Sequence, residues 1–213
     1  LNVEINYSKL IKSIAVVSNE TRAVDETLFF CLGQICEFSG WPLGHLYLTA
    51  DNPSEGLVPT QFWHVEKPGQ FETFQKITLE TPLEEGIGLP GRVLISGQPA
   101  WIIDVTKDSN FPRAQLAQDI GVKAGFAFPI LIGTKVLGVM EFFSPNAVEP
   151  DPQMLDIMAQ IGTQLGRALE RKQAQDESQR SQDQLRKLYQ RLEQVREEER
   201  TRTAREVHDH LGQ

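Results

Sequence analysis

The stretch Glu84–Val105 reads EEGIGLPGRVLISGQPAWIIDV, and Gly86, Gly88 and Gly91 within it fall at G-x-G-x-x-G spacing. A dinucleotide-binding loop of that spacing leaves a buried strand and opens a helix whose N-terminus takes the pyrophosphate. Here "TPLEE" precedes the glycines and no strand delivers them, so they read as turn punctuation. Leu89 to Ser96 then reads as a short helix stopped by Gly97, and Trp101-Ile102-Ile103 as a short strand. Pro112 to Ile120 is a second helix stopped by Gly121. Two apolar runs follow, Ala124 to Ile132 and Lys135 to Phe143, with only Gly133-Thr134 between them, which marks a two-residue hairpin.

Working backwards, Ser8 to Phe38 reads as helical. Leu28, Phe29, Leu32, Ile35 and Cys36 recur at a spacing of three or four, and Gly40 is the stop. His45 to Thr49 alternates as a strand does, Asp51 to Gly56 is rich in turn formers, and Gln61 to Glu66 is a second strand that pairs with the first. Phe71 to Glu80 suits a short helix or a third strand. Hairpin strands with helices before and between them predict an α+β domain around an antiparallel sheet. His45 and His64, both on strands, read as half-exposed strand residues.

Composition changes once, near residue 150. All three Trp precede it, and after Pro152 there is no proline to break a helix. The net charge of -8 argues against a nucleic-acid partner, which selects a basic patch. No run approaches the ~20 apolar residues of a membrane-spanning helix, and no secretory leader is visible. Cys31 and Cys36 lie five apart on a helix and do not face each other, so they read as small apolar packers. The chain begins at Leu1 and ends at Gln213 inside a motif, as a piece of a longer protein does. A cytoplasmic location is expected.

The run from Glu84 to Pro145 resembles the second half of a GAF domain. The elements occur in that family's order: G-x-G-L-x-G-R, W-I-x-D-V, F-P-R-A, G-x-x-A-G, P-I-L-I-G and V-L-G-V-M-E-F-F. The resemblance implies a sensory or dimerising domain over residues 8–168, with a pocket on one face of the sheet. By position, Trp63, Trp101, Phe111, Phe126 and Phe128 are the implied ligand-binding residues. GAF domains take cyclic nucleotides, bilins or haem, and some take nothing known; this chain departs from several of those subtypes, and for haem only His45 and His64 are available as histidine ligands. Pro112 to Gly125 holds no Cys for a bilin, and the N-K…F…D-E set of the cyclic-nucleotide subtype is absent. The ligand is left unnamed.

From Asp151 the chain reads as one helix, started by Asp151 and Pro152. Ile157, Ile161, Leu165 and Leu169 form one apolar stripe, and Leu185, Leu188, Leu192 and Val195 a second. The stripes do not share a heptad register, so a phase slip falls in the polar stretch from Arg171 to Gln184. A helix of ~95 Å gains its stability by packing a face. A parallel homodimeric coiled coil over residues 169–198 is therefore expected.

Residues 199–213, ERTRTAREVHDHLGQ, resemble the H-box of sensor histidine kinases of the nitrate/nitrite-sensor type. Glu199, Arg200, Arg202, Ala204, Arg205, Glu206, His208, Asp209, Leu211, Gly212 and Gln213 match it, and Val207 replaces the more usual Leu. The resemblance implies that His208 takes the γ-phosphoryl group of ATP. Asp209 would accept its proton or orient the ring, and Gln213 would position water when phosphate is removed from the partner. A response regulator with an acceptor Asp is the implied partner. ATP and Mg²⁺ would be held by a domain beyond Gln213, so the 213 residues alone should be inactive. His210 matches no family position, and no metal site is expected of it. The alternatives are a non-enzymatic dimerisation scaffold and a small-ligand receptor.

Overall fold

The computed structural model describes residues 2–19, 24–50, 56–81 and 83–211, with side chains described over 7–197 of these. The chain divides into two compact units, residues 1–170 and 171–213. The first contains helices α1 (Asn2–Asn19) and α2 (Val24–Ser39), strands β1 (Leu43–Thr49) and β2 (Leu57–Val65), and helices α3 (Glu72–Leu79) and α4 (Gly88–Ser96). Strand β3 (Ala100–Ile102), helix α5 (Ala114–Asp119), and strands β4 (Ala124–Ile132) and β5 (Lys135–Ser144) follow. Helix α6 (Pro152–Leu211) begins in the first unit and makes up the second.

The expected helical run from Ser8 to Phe38 is two helices, with residues 20–23 outside the described set. Phe71 to Glu80 resolves to a helix. Helix α4 ends as expected, with Gly97 in the left-handed region at φ 61°. At the hairpin, Ile132 pairs with Lys135, and Gly133 takes a φ of 59° at the first central position. That is where a two-residue turn matched to strand twist needs glycine.

The sheet has the order β2-β1-β5-β4-β3, each neighbouring pair antiparallel. Its two faces carry separate cores. One face takes Leu46, Phe126, Phe128, Met140 and Phe142 against α1, α2 and the start of α6. The other takes Leu43, Tyr47, Ala127, Val139 and Phe143 against α3, α4 and α5. Alternate residues of each strand thus face different cores, and both are apolar, which is why AGFAFPILI shows no polar alternation.

Helix α6 is seated by two glycines. A Cβ on Gly162 would overlap the carbonyl oxygen of Pro129, and one on Gly166 the carbonyl oxygen of Leu131. Glycine one turn apart is therefore required for the helix to lie directly on β4. The helix start is fixed by Asp151, whose Oδ1 accepts from the Met154 amide at 3.1 Å. Its Oδ2 accepts from the Tyr7 hydroxyl of α1 at 2.9 Å. Burial, with Asp151 beside it, pushes the Tyr7 hydroxyl up to about 12.

In the second unit α6 is polar, with a Lys172–Asp176 ion pair at 3.2 Å and a Gln179–Asp183 hydrogen bond at 3.2 Å. Leu185, Leu188, Tyr189, Leu192 and Val195 are more than half exposed. Among the described residues, no helix is long and apolar enough to cross a membrane.

A buried charge network in the candidate functional site

The structure divides the five aromatic residues expected to line a pocket between the two faces. Trp101, Phe126 and Phe128 belong to the α1, α2 and α6 side. Trp101 stacks on Phe126 at 5.4 Å, and its indole N–H donates to the Val148 carbonyl at 2.8 Å. Trp63 and Phe111 belong to the α3, α4 and α5 side. What joins that second pair is a set of charges buried between them.

At its centre stands Glu141, fully buried in the middle of β5. Arg113, at the start of α5, reaches it with two nitrogens, Nη1 at 3.1 Å and Nη2 at 2.9 Å. Arg113 Nη1 also donates to Thr78 Oγ1 of α3 at 2.7 Å. The guanidinium lies 4.7 Å from the ring centre of Phe74, 5.1 Å from Phe111 and 5.6 Å from Phe143. Arg113 is thus held by one carboxylate and three aromatic rings, a setting a delocalised, weakly hydrated cation tolerates.

His45 of β1 completes the group. Its Nδ1 lies 3.3 Å from Glu141 Oε1, and its Nε2 lies 3.1 Å from the Thr60 carbonyl. A bulge in the β1–β2 pairing between His45 and Tyr47 brings Thr60 there. The ring stacks on Trp63 at 3.8 Å and meets Tyr47 edge-on at 4.6 Å. The expectation of a half-exposed His45 is overturned: the residue is completely buried, because α3 and α5 cover the face of β1 that it occupies. Both partners are acceptors, so a neutral ring can donate to only one of them. His64 lies on β2 and is half-buried.

Burial opposes charge on every member, and the pairing decides which remain charged. Burial alone would raise the Glu141 carboxyl, but the Arg113 charge and the hydrogen bonds from His45 and Arg113 hold it below its ordinary value. Burial would lower Arg113, and Glu141 reverses that. For His45 burial dominates, so its pKa is lowered despite Glu141. The resting state is Arg113 cationic, Glu141 anionic and His45 neutral.

Among the described residues, three buried polar atoms around this group have no hydrogen-bond partner: the Tyr47 hydroxyl, the Trp63 indole nitrogen and Arg113 Nε. Each can donate. Burying a donor unpaired costs about 1–3 kcal/mol.

The Gly86–Gly91 run is used internally. The Gly86 amide donates to the Gly91 carbonyl at 2.9 Å, and Asn110 Nδ2 donates to the Gly86 carbonyl at 2.8 Å. Arg92 pairs with Asp108 through two bonds of 2.8 and 2.6 Å, which clamps the same loops together and holds the Asp108 carboxyl below its ordinary value. The glycines are packing devices, and their amides do not cradle a phosphate.

The expected phosphoacceptor residues lie on the far part of α6. His208 and Asp209 have helical backbone; their side chains, and the whole of Gln213, lie outside the described set. Among the described residues, no group of three or more His, Cys, Asp or Glu is arranged to hold a metal ion.

The fold recurs in solved structures. The GAF domain of a phosphoenolpyruvate-protein phosphotransferase from Coxiella burnetii is 15% identical, with a TM-score of 0.67 over 83% of this chain and 99% of that one. The nlh2 GAF domain of A. aeolicus, in an inactive state, is 19% identical, with a TM-score of 0.60 over 80% and 99%. A free methionine-R-sulfoxide reductase from Neisseria meningitidis, in complex with its substrate, is 18% identical, with a TM-score of 0.61 over 77% and 88%. At these identities the likeness is one of fold. The family model described as GAF domain matches residues 21–170, well over half of the sequence. With the five-stranded antiparallel sheet and its two helical layers, this match establishes that the chain belongs to the GAF domain family.

Proposed function

We propose that this chain is the sensory and relay part of a two-component sensor histidine kinase, with His208 as its phosphoacceptor. The observation that carries the reading is the course of α6. One helix begins with Met154, Ile157, Met158, Ile161 and Leu165 buried in the GAF core and continues without a break to Leu211, through the H-box-like segment. A change in the GAF core that rotates or shifts the start of α6 has a covalent path to His208. The exposed stripe Leu185, Leu188, Leu192 and Val195 is the surface through which two copies would pair as a coiled coil. The polar segment between the stripes, which do not share a register, would be the adjustable link.

The chemistry rests on residue types. Neutral imidazole carries a lone pair at pH 7. One nitrogen of His208 would attack the γ-phosphorus of ATP; the phosphorus–oxygen bond to ADP breaks, and the ring proton passes to Asp209. The phosphoryl group would then move to an Asp of a response regulator. ATP and Mg²⁺ would be held by a separate domain.

The test is a two-residue insertion between Lys172 and Gln184 in the full-length protein. It turns everything beyond it by about 200° relative to the GAF domain. Signal dependence of kinase output should be lost or inverted; unchanged dependence refutes relay through α6. A second reading, a small-ligand receptor, is favoured by the three unpartnered donors around Arg113. Native mass spectrometry of the purified chain tests it: a retained molecule bearing a carboxylate or carbonyl supports it, and bare protein mass counts against it.

A further inference from the structure

On the opposite side of the sheet from the charge network, helix α2 and the end of β2 enclose an open cleft of about 860 Å³. Its helical wall is one face of α2. Glu26, Phe30, Gly33 and Glu37 follow one another at helical spacings of four, three and four, with Phe29 beside them. Trp41 and Pro42 close one end, and His64, Val65 and Glu66 form the other wall. The two walls come closest at Gly33, where an added Cβ would lie 3.4 Å from His64 Nδ1. Phe29 is 55% exposed and adds apolar surface to that wall.

The charges of this cleft have one sign and an order. Among the described residues, its lining includes three carboxylates and neither Lys nor Arg. Glu26 and Glu37 are eleven residues apart on one helix face, about 16 Å along the axis. Glu66 stands at the Glu37 end, where its amide bonds the Pro42 carbonyl. Between the acidic ends lie Phe29 and Phe30, and the largely buried Trp41 stands at the Glu37–Glu66 end. A ligand that matches this order has a cationic group at each end and an aliphatic spine between them. Any amine within the spine would meet aromatic faces, which attract cations. A monovalent cation would leave one end unpaired, and a neutral chain both.

We propose that this cleft is a binding site for a linear aliphatic polyamine, with terminal ammonium groups at Glu26 and at the Glu37–Glu66 end. The site is separate from the Arg113 network and from the H-box-like segment, and it stands whether or not the chain serves a kinase.

Calorimetric titration of the 213-residue chain with spermine, spermidine and putrescine tests it, beside an aliphatic monoamine and a neutral diol of matching length. Affinity should rise with length to spermine, with no binding of the diol. Glu26→Gln and Glu66→Gln should each weaken spermine by about tenfold, the loss of one charge-assisted contact. Gly33→Leu, which fills the cleft and leaves the carboxylates in place, should abolish binding while circular dichroism and melting temperature are retained. No binding of any amine overturns the proposal. So does spermine binding indifferent to Gly33→Leu, which would be diffuse attraction to an acidic protein. Self-association of the free chain that Gly33→Leu abolishes would make a second copy the occupant, and would overturn it equally.

Discussion

Replacing Arg113 by Met removes a buried charge and keeps most of the volume that Phe74, Phe111 and Phe143 enclose. The guanidinium is 3% exposed and makes two hydrogen bonds to Glu141, which is fully buried. Breaking such a pair from one side strands the other charge and costs about 3–5 kcal/mol. That is a large part of the roughly 5–15 kcal/mol that holds a domain together. Urea unfolding measured by circular dichroism reads the loss as a lower midpoint at unchanged slope. Glu141→Gln should also destabilise, because it leaves Arg113 buried without its counter-charge. The double variant should cost less than the sum of the singles by on the order of 2 kcal/mol, the coupling expected of contacting charges. The sign with pH is diagnostic. In Arg113→Met the Glu141 carboxyl loses its cation, and burial raises its pKa above the ordinary 4.5. The folded variant then holds a proton that the unfolded chain releases, so its stability falls as pH rises from 4.5 through the raised pKa. The deficit against wild type should therefore be larger at pH 8 than at pH 5. A pH-independent deficit below about 1 kcal/mol, with additive single variants, would refute the view that the network is an ion pair that the fold depends on.

Gly162→Ala and Gly166→Ala should destabilise although alanine is the better helix former by about 1 kcal/mol, because each methyl meets a carbonyl oxygen of β4; a higher melting temperature in either would contradict the seating of α6. The wild-type chain should lose stability on acidification below pH 6.5, where the unfolded chain protonates His45 and the folded chain, with its lowered pKa, does not; His45→Gln should remove that phase from melting curves taken at successive pH values. Cys31 and Cys36, buried and pushed up to about 12, should resist a thiol reagent in the native state and react fully in urea; stoichiometric native labelling would place them at the surface. Leu188→Glu with Leu192→Glu should convert a dimer to a monomer in sedimentation runs while leaving the GAF unit folded, and an unchanged sedimentation coefficient would remove the coiled-coil expectation.

Local features told most of the architecture from sequence. Gly133-Thr134 between two apolar runs gave a hairpin at its observed register, and Gly97 and Asp151 marked helix ends that the structure reproduces. These signals are local: a backbone angle or a cap acts within four residues. The charge network was not read, because its members are far apart in sequence. His45 and Glu141 are separated by 96 positions, and Arg113 and Glu141 by 28. Alternation on β1 placed His45 on a strand but could not tell that both faces of the sheet are covered. One signal was present. Glu141 is a lone carboxylate inside VLGVMEFF, and a charge in so apolar a strand must find a buried partner. The aromatic pocket residues were legible as buried and not as partners, since strand parity sends Phe126 and Phe128 to one face while Trp63 and Phe111 belong to the core on the other. The acidic cleft on α2 escaped notice because the stripe at Leu28, Leu32 and Ile35 drew the reading to the helix's inner face.

Autophosphorylation of the full-length protein with labelled ATP, beside its His208→Ala variant, tests the central proposal most directly. The account predicts an acid-labile, base-stable label that is lost in the variant. Label that survives the substitution, or none in a folded protein that binds ATP, would contradict it.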